Sequence, residues 1–177
     1  PSEVLVIADK DANPAFVASD LLSQAEHGVD SQVILIAVDL TEEQLKAIDD
    51  EVHNQAMALP RVDIVRGSIA HSLTVQVKTI DEAMRVSNEY APEHLILQIK
   101  DAPSVVDKVM NAGSVFIGQW TPESVGDYSA GVNHSLRMWQ TLLPPNFLLS
   151  VVLVPRANIS DSDVWLCQAV LWRQPRL

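Results

Sequence analysis

Val4-Leu5-Val6-Ile7-Ala8, then Asn13-Pro14, then Gly28, then Gln32-Val33-Ile34-Leu35-Ile36-Ala37-Val38: the reading of this stretch decides the fold. Both apolar runs are short and unbroken, as strands buried on two faces of a parallel sheet are. Between them, Asn13 followed by Pro14 reads as the N-cap and first position of a helix, with Gly28 as its stop. Strand, helix and strand in that order make a crossover unit, the connection a parallel pair requires.

The same rhythm continues downstream. Thr41 and Gln44 form a capping box, and Leu45, Ile48, Val52 and Ala56 follow at helical spacing until Pro60. Val62 to Val65 reads as a third strand. Leu73 to Val77 alternates, which predicts an edge strand or one with a wet face. Thr79 and Glu82 form a second capping box ahead of a helix reaching about Asn88. Leu95 to Ile99 is a strand, Pro103 to Met110 a helix that Gly113 ends, and Ser114 to Ile117 the last clear strand. The prediction is an α/β fold, a mostly parallel sheet with helices on both faces. Ligands of such sheets favour the carboxyl ends of the strands.

The character changes after Leu136. All but two of the 23 acidic residues lie in 1–136, whereas 137–177 has no Lys, Glu, Gly, His or Tyr but holds three of the four tryptophans. Leu148 to Val154 could be a strand, and nothing else there has a clear period, so 137–177 reads as an irregular C-terminal tail. The chain has 177 residues, about one domain's worth, and 47% hydrophobic residues, enough for a core. No apolar run is long enough to span a bilayer, and no leader-like segment is visible at Pro1. A net charge of −11 argues against nucleic acid or an anionic membrane as partner. Cys167 is the sole cysteine, which suits a reducing, cytoplasmic setting.

Three segments carry residues suited to chemistry. Gln24 and His27 lie three apart on the first helix, so both leave one face and could hold one metal. Glutamine is an unusual zinc ligand, and a histidine before a glycine at a helix end is favoured by the helix dipole alone. Glu93-His94 follows Pro92 at the start of an apolar strand. A histidine can take a proton from an alcohol, and a neighbouring carboxylate can activate water. Both reach one site only if they precede the strand proper, and Pro92 favours this by restricting Ala91 to extended backbone. A solvated loop pair is the plainer alternative. Asp127 sits in a polar, Gly-flanked segment and is either a metal ligand or a turn residue. His53 and His71 have no convincing partners, and no G-x-G-x-x-G occurs.

Taken together, these segments resemble the histidinol dehydrogenase family. The resemblance rests on Pro1-Ser2-Glu3, Ser23-Gln24-Ala25-Glu26-His27-Gly28 with Asp30-Ser31-Gln32, Tyr90-Ala91-Pro92-Glu93-His94-Leu95, Ala112-Gly113-Ser114-Val115-Phe116, and Pro122-Glu123-Ser124 with Gly126-Asp127-Tyr128, in family order from Pro1 to about Leu136. It implies an incomplete Rossmann-like domain over 1–136. It also implies zinc- and NAD-dependent oxidation of L-histidinol to L-histidine, in two steps through an enzyme-held aldehyde. By the resemblance, Gln24, His27 and Asp127 are zinc ligands that also contact substrate. Glu93 and His94 are the catalytic pair: His94 takes the alcohol proton and contacts substrate, and Glu93 activates the water that hydrates the aldehyde. Ser2 contacts substrate. No residue is assigned to NAD. The family is homodimeric, and its partner subunit supplies a further zinc-ligand histidine.

The resemblance further implies that most NAD contacts come from a half of the family that is not in this sequence, so the isolated chain is expected to be inactive or very weak. It stops where Leu136 is followed by Arg137-Met138-Trp139. The tail then reads as a frameshift or intron read-through, or else as a lineage-specific C-terminus packed on the sheet. Two other readings of function stay open: a non-catalytic α/β module that binds zinc or a small ligand, and a truncated product with no function of its own.

Overall fold

In the computed structural model the described residues are 2–124 together with the backbone of 151–153. Asp127 and the tail, apart from that short strand, lie outside them. The elements are β1 (Glu3–Ala8), α1 (Pro14–Ala25), β2 (Gln32–Val38), α2 (Glu42–Ala58), α3 (Val62–Ile69), β3 (Leu73–Val77), α4 (Ile80–Tyr90), β4 (His94–Gln98), β5 (Ser114–Ile117) and β6 (Val151–Leu153). A 3-10 helix, Ala102–Lys108, joins β4 to β5. The sheet is parallel throughout, in the order β3-β2-β1-β4-β5-β6. This is the doubly wound order, and direction switches between β1 and β4.

Alternation within β1 and β4 sorts side chains into two cores. Leu5, Ile7, Leu95 and Leu97 face α4 and the 3-10 helix, with Ala83, Met84 and Val105. Val4, Val6, Ile96 and Phe116 face α1, α2 and α3, with Val17, Leu21, Ile48 and Val65. Both faces of the central strands are therefore dry, which is why β1, β2 and β4 read as unbroken apolar runs.

The local signals act as expected. Asn13 caps α1 by accepting from the Ala15 N–H, and both Thr41 and Thr79 close complete capping boxes with Gln44 and Glu82. β3 is the edge strand that its alternation predicted. Helix α1 ends at Ala25, short of Gly28, where the Glu26 N–H bonds back to the Leu22 carbonyl.

Three expectations are corrected. Val62 to Val65 is not a strand but the start of α3, because a short apolar run cannot declare its period. Tertiary contact decides: Val65 and Ser68 are buried on one helical face, and the Ser68 hydroxyl donates to the Ser31 carbonyl at 2.8 Å. The segment after β4 is 3-10 rather than α-helical, and it stops at Lys108 before Met110. Ala91 is left-handed (φ 57, ψ 61), not extended as its place before a proline suggested, because it is the C-cap of α4 and its N–H is committed to the Ser87 carbonyl.

At the carboxyl end of the switch point, Asp9 fills the crevice. Its carboxylate accepts the backbone N–H of Asp11 and that of Lys100, both at 2.9 Å, tying the loop after β1 to the loop after β4.

Candidate active site

The residues expected to carry chemistry gather at the opposite end, around the amino ends of β1 and β4. Ser2 and Glu93 immediately precede Glu3 and His94, the first residues of β1 and β4, and Val4 lies in register with His94. Helix α1 runs back against the strands, so its last turn brings Gln24, with His27 just beyond, to that same end. The expectation of a site at the carboxyl ends is thus corrected. The crossover helix delivers these residues to the far end, and Asp9 occupies the usual crevice.

Glu93 and His94 are not a solvated loop pair, since they are 7% and 5% exposed. Glu93 sits just outside β4, which frees it from strand alternation. The Ser2 hydroxyl donates to Glu93 Oε2 at 2.6 Å, and the Glu3 N–H approaches the same oxygen at 3.4 Å. The Glu93 backbone is clamped from β5, whose Ser114 N–H donates to its carbonyl at 2.8 Å. Burial raises the Glu3 carboxyl above the usual range, the nearby Glu93 charge adding to it. Burial likewise pushes the Tyr90 phenol up to about 12, with Glu3 contributing, so Tyr90 stays protonated at neutral pH.

His94 lies on the α1 side of the sheet, its ring 5.9 Å from that of Phe116. Its Nδ1 stands 3.3 Å from Gln24 Oε1 and 3.1 Å from Glu123 Oε1. Gln24 is fully buried, and its Nε2 lies 3.0 Å from His27 Nδ1. Gln24 and His27 are therefore brought into contact, although His27 is exposed and lies beyond the helix end rather than on the helical face the spacing implied. The amide Nε2 faces the ring here, so a divalent cation such as zinc would meet the amide oxygen beside the imidazole only once the amide rotates. Among the described residues no three His, Cys, Asp or Glu side chains form a metal cluster, and Asp127 lies outside them.

Three further residues join this region without having been singled out. Glu123, in the quoted Pro122-Glu123-Ser124 segment, is 3% exposed and accepts a hydrogen bond from the Ser23 hydroxyl. Asp20, one turn before Gln24 on α1, accepts from Gln98 Nε2 at 2.6 Å. Burial raises the Asp20 carboxyl to about 7, against the lowering effect of the Gln98 hydrogen bond and with help from the Glu123 charge. A polar residue in an apolar strand was the available signal for Gln98, and for Asp20 its place on the apolar face of α1.

The sequence and the fold recur in known proteins. The family model for histidinol dehydrogenase matches residues 1–140. The histidine biosynthesis trifunctional protein of Neurospora crassa is 85% identical over 136 residues, 77% of this chain and 16% of that protein. The histidinol dehydrogenase of Pectobacterium atrosepticum is 55% identical over 136 residues, 77% of this chain and 30% of that one. The crystal structure of histidinol dehydrogenase from Elizabethkingia anophelis superposes with a TM-score of 0.73 at 51% identity, covering 77% of this chain and 31% of that chain. The chain thus spans well under half the length of these relatives. With the sheet order, the buried Glu93-His94 pair and these matches in agreement, the chain belongs to the histidinol dehydrogenase family.

Proposed function

We propose that this chain carries the catalytic pair of an enzyme of L-histidine biosynthesis that oxidises L-histidinol to L-histidine. The observation that carries the reading is the meeting of Ser2, Gln24, His27, Glu93 and His94 at one end of the sheet. Two molecules of NAD would supply the hydride acceptor, one for each oxidation, and zinc would help to position the substrate. Gln24, His27 and Asp127 are the residues that would hold the zinc. His94 takes the hydroxyl proton in the first oxidation. Glu93, its carboxylate held in rotation by the Ser2 hydroxyl, takes a proton from the water that hydrates the aldehyde. Ser2 can exchange that bond for one to the substrate.

The test is a chimera. Residues 1–136 replace the matching stretch of the Pectobacterium atrosepticum enzyme, to which they are 55% identical. NADH formation from L-histidinol is expected, with kcat falling by about 10²–10⁴-fold in His94→Asn and in Glu93→Gln. In a single turnover Glu93→Gln should release one equivalent of NADH where the parent releases two. A well-folded chimera that forms no NADH from histidinol would sink the reading.

A second reading, a zinc- or small-ligand-binding module, is favoured by the Gln24–His27 contact, which this chain makes by itself. Calorimetry of the 177-residue chain with zinc and histidinol separates the two: saturable binding without turnover supports the module. The catalytic reading also makes the intact family protein a homodimer, which light scattering of the chimera checks, in a reducing compartment such as the cytoplasm, which suits a lone cysteine. We assign 1–136 to the family domain and 137–177 to a segment read out of frame or through an intron. A transcript whose other frames restore no family sequence after Leu136 would refute that.

A further inference from the structure

Glu123 reaches His94 because the chain doubles back after β5. Gly118, at φ 85, makes the reversal. Thr121 locks it, its N–H donating to the Gly118 carbonyl at 3.2 Å and its hydroxyl to the Ile117 carbonyl at 2.9 Å. The returning segment then follows α1. Trp120 meets Phe16 edge-on, with ring centroids 5.3 Å apart, near the start of the helix, and Glu123 meets Ser23 near its end.

The Ser23 hydroxyl holds Glu123 Oε2, which fixes the rotation of the carboxylate. Oε1 makes no aligned hydrogen bond among the described residues, yet it lies 3.1 Å from His94 Nδ1. The distance decides what this contact is. Both side chains are nearly inaccessible, so the attraction is little screened, and a slight turn of the imidazole aligns the bond. A buried carboxylate is costly unless compensated, and among the described residues the imidazole is a donor within reach beyond the Ser23 hydroxyl. Gln24 Oε1 faces the same nitrogen at 3.3 Å. A carboxylate oxygen can only accept, so its contact with Nδ1 is satisfied when that nitrogen carries the proton, and in the neutral ring the lone pair then sits on Nε2.

We infer that Glu123 is a positioning residue for His94. Anchored by Ser23, it holds the Nδ1–H and keeps the basic lone pair at Nε2. A base oriented by a third group is the recurring arrangement where an imidazole must take a proton in one direction. The consequence for turnover rests on the function proposed above; the tautomer does not.

The experiment is therefore read first without turnover. Nitrogen-15 NMR of the 177-residue chain, at a pH where the ring is neutral, reports which nitrogen of His94 bears the proton. The native chain should show the Nδ1–H form in excess. Glu123→Gln, whose amide can present either an oxygen or an N–H₂, should raise the Nε2–H form several-fold, and Glu123→Asp should keep part of the native excess. A native His94 in the Nε2–H form, or a ratio unmoved in Glu123→Gln, would overturn the inference. The native spectrum decides even if that variant does not fold. In the active chimera, Glu123→Gln should cut kcat by about 100-fold with little change in KM, as loss of an aligned base does. An unchanged kcat would also overturn the inference. An inactive parent chimera counts against the proposed function alone, because the tautomer ratio still decides the role of Glu123.

Discussion

A methyl group at Gly113 would stand 2.5 Å from the Glu93 carbonyl oxygen, too close for any real Cβ. The neighbour is backbone, and that backbone carries the acid of the candidate pair. Gly113→Ala should cost about 1–3 kcal/mol, as overpacking does, read as a lower denaturant midpoint with an unchanged slope. An unchanged midpoint would mean that β4 and β5 can part freely there. Asp20 gives a prediction in pH. Its carboxyl is raised by burial from 3.8 unfolded to about 7 folded, so the folded state binds the proton more tightly. Its contribution is fully present below the unfolded value and is lost as pH rises through about 7. The difference corresponds to stability on the order of 4 kcal/mol, and Asp20→Asn should flatten the fall in stability between pH 4 and 7. Equal slopes in urea titrations of the two proteins would refute it. Among site residues, Ser2, Gln24, His27, Glu93 and His94 were legible because family motifs carry them. Glu123, Asp20 and Gln98 were not assigned roles, because their partners lie 29 to 100 positions away across the fold, and no local spacing encodes such contacts.

At the scale of elements, what was legible was what is written locally. Thr79 satisfies the Glu82 N–H at 3.2 Å, and Glu82 returns to the Thr79 N–H at 3.3 Å, as the capping-box pattern implied. Both contacts are exposed and remote from Glu93, so Thr79→Ala should cost about 1 kcal/mol of stability and leave histidinol turnover of the chimera unaltered. A change in kcat would show that α4 communicates with the site. What was not legible was set by packing. The run Val62 to Val65 fits either period, and only its burial against Ser31 and β2 makes it α3. The end of the sheet on which the site is built was equally hidden, since it depends on how far α1 carries the chain back before Gln24 appears.

Across the whole molecule, both cores among the described residues are drawn from positions 4–117, whereas the tail contributes β6 to the edge of β5. A chain ending at Leu136 should therefore still unfold cooperatively on heating, followed by circular dichroism. A broad transition without a baseline would show that residues 137–177 are needed to complete the core. The parallel sheet followed from repeated strand-helix alternation, but the strand order did not, because the side on which each strand joins is set by contacts across the chain.

Asp9 brings these scales together. In doubly wound domains the notch beyond β1 and β4 is where backbone amides receive a phosphate. Here a carboxylate of the chain takes that part, accepting the Asp11 and Lys100 amides. The protein thus carries a resident surrogate for the anion it does not admit. A phosphorylated metabolite arriving at that notch meets a carboxylate that already holds the Asp11 and Lys100 amides. The two loops beyond β1 and β4 are thus stitched together from within, at the end of the sheet opposite the one where Ser2 and Glu93 meet.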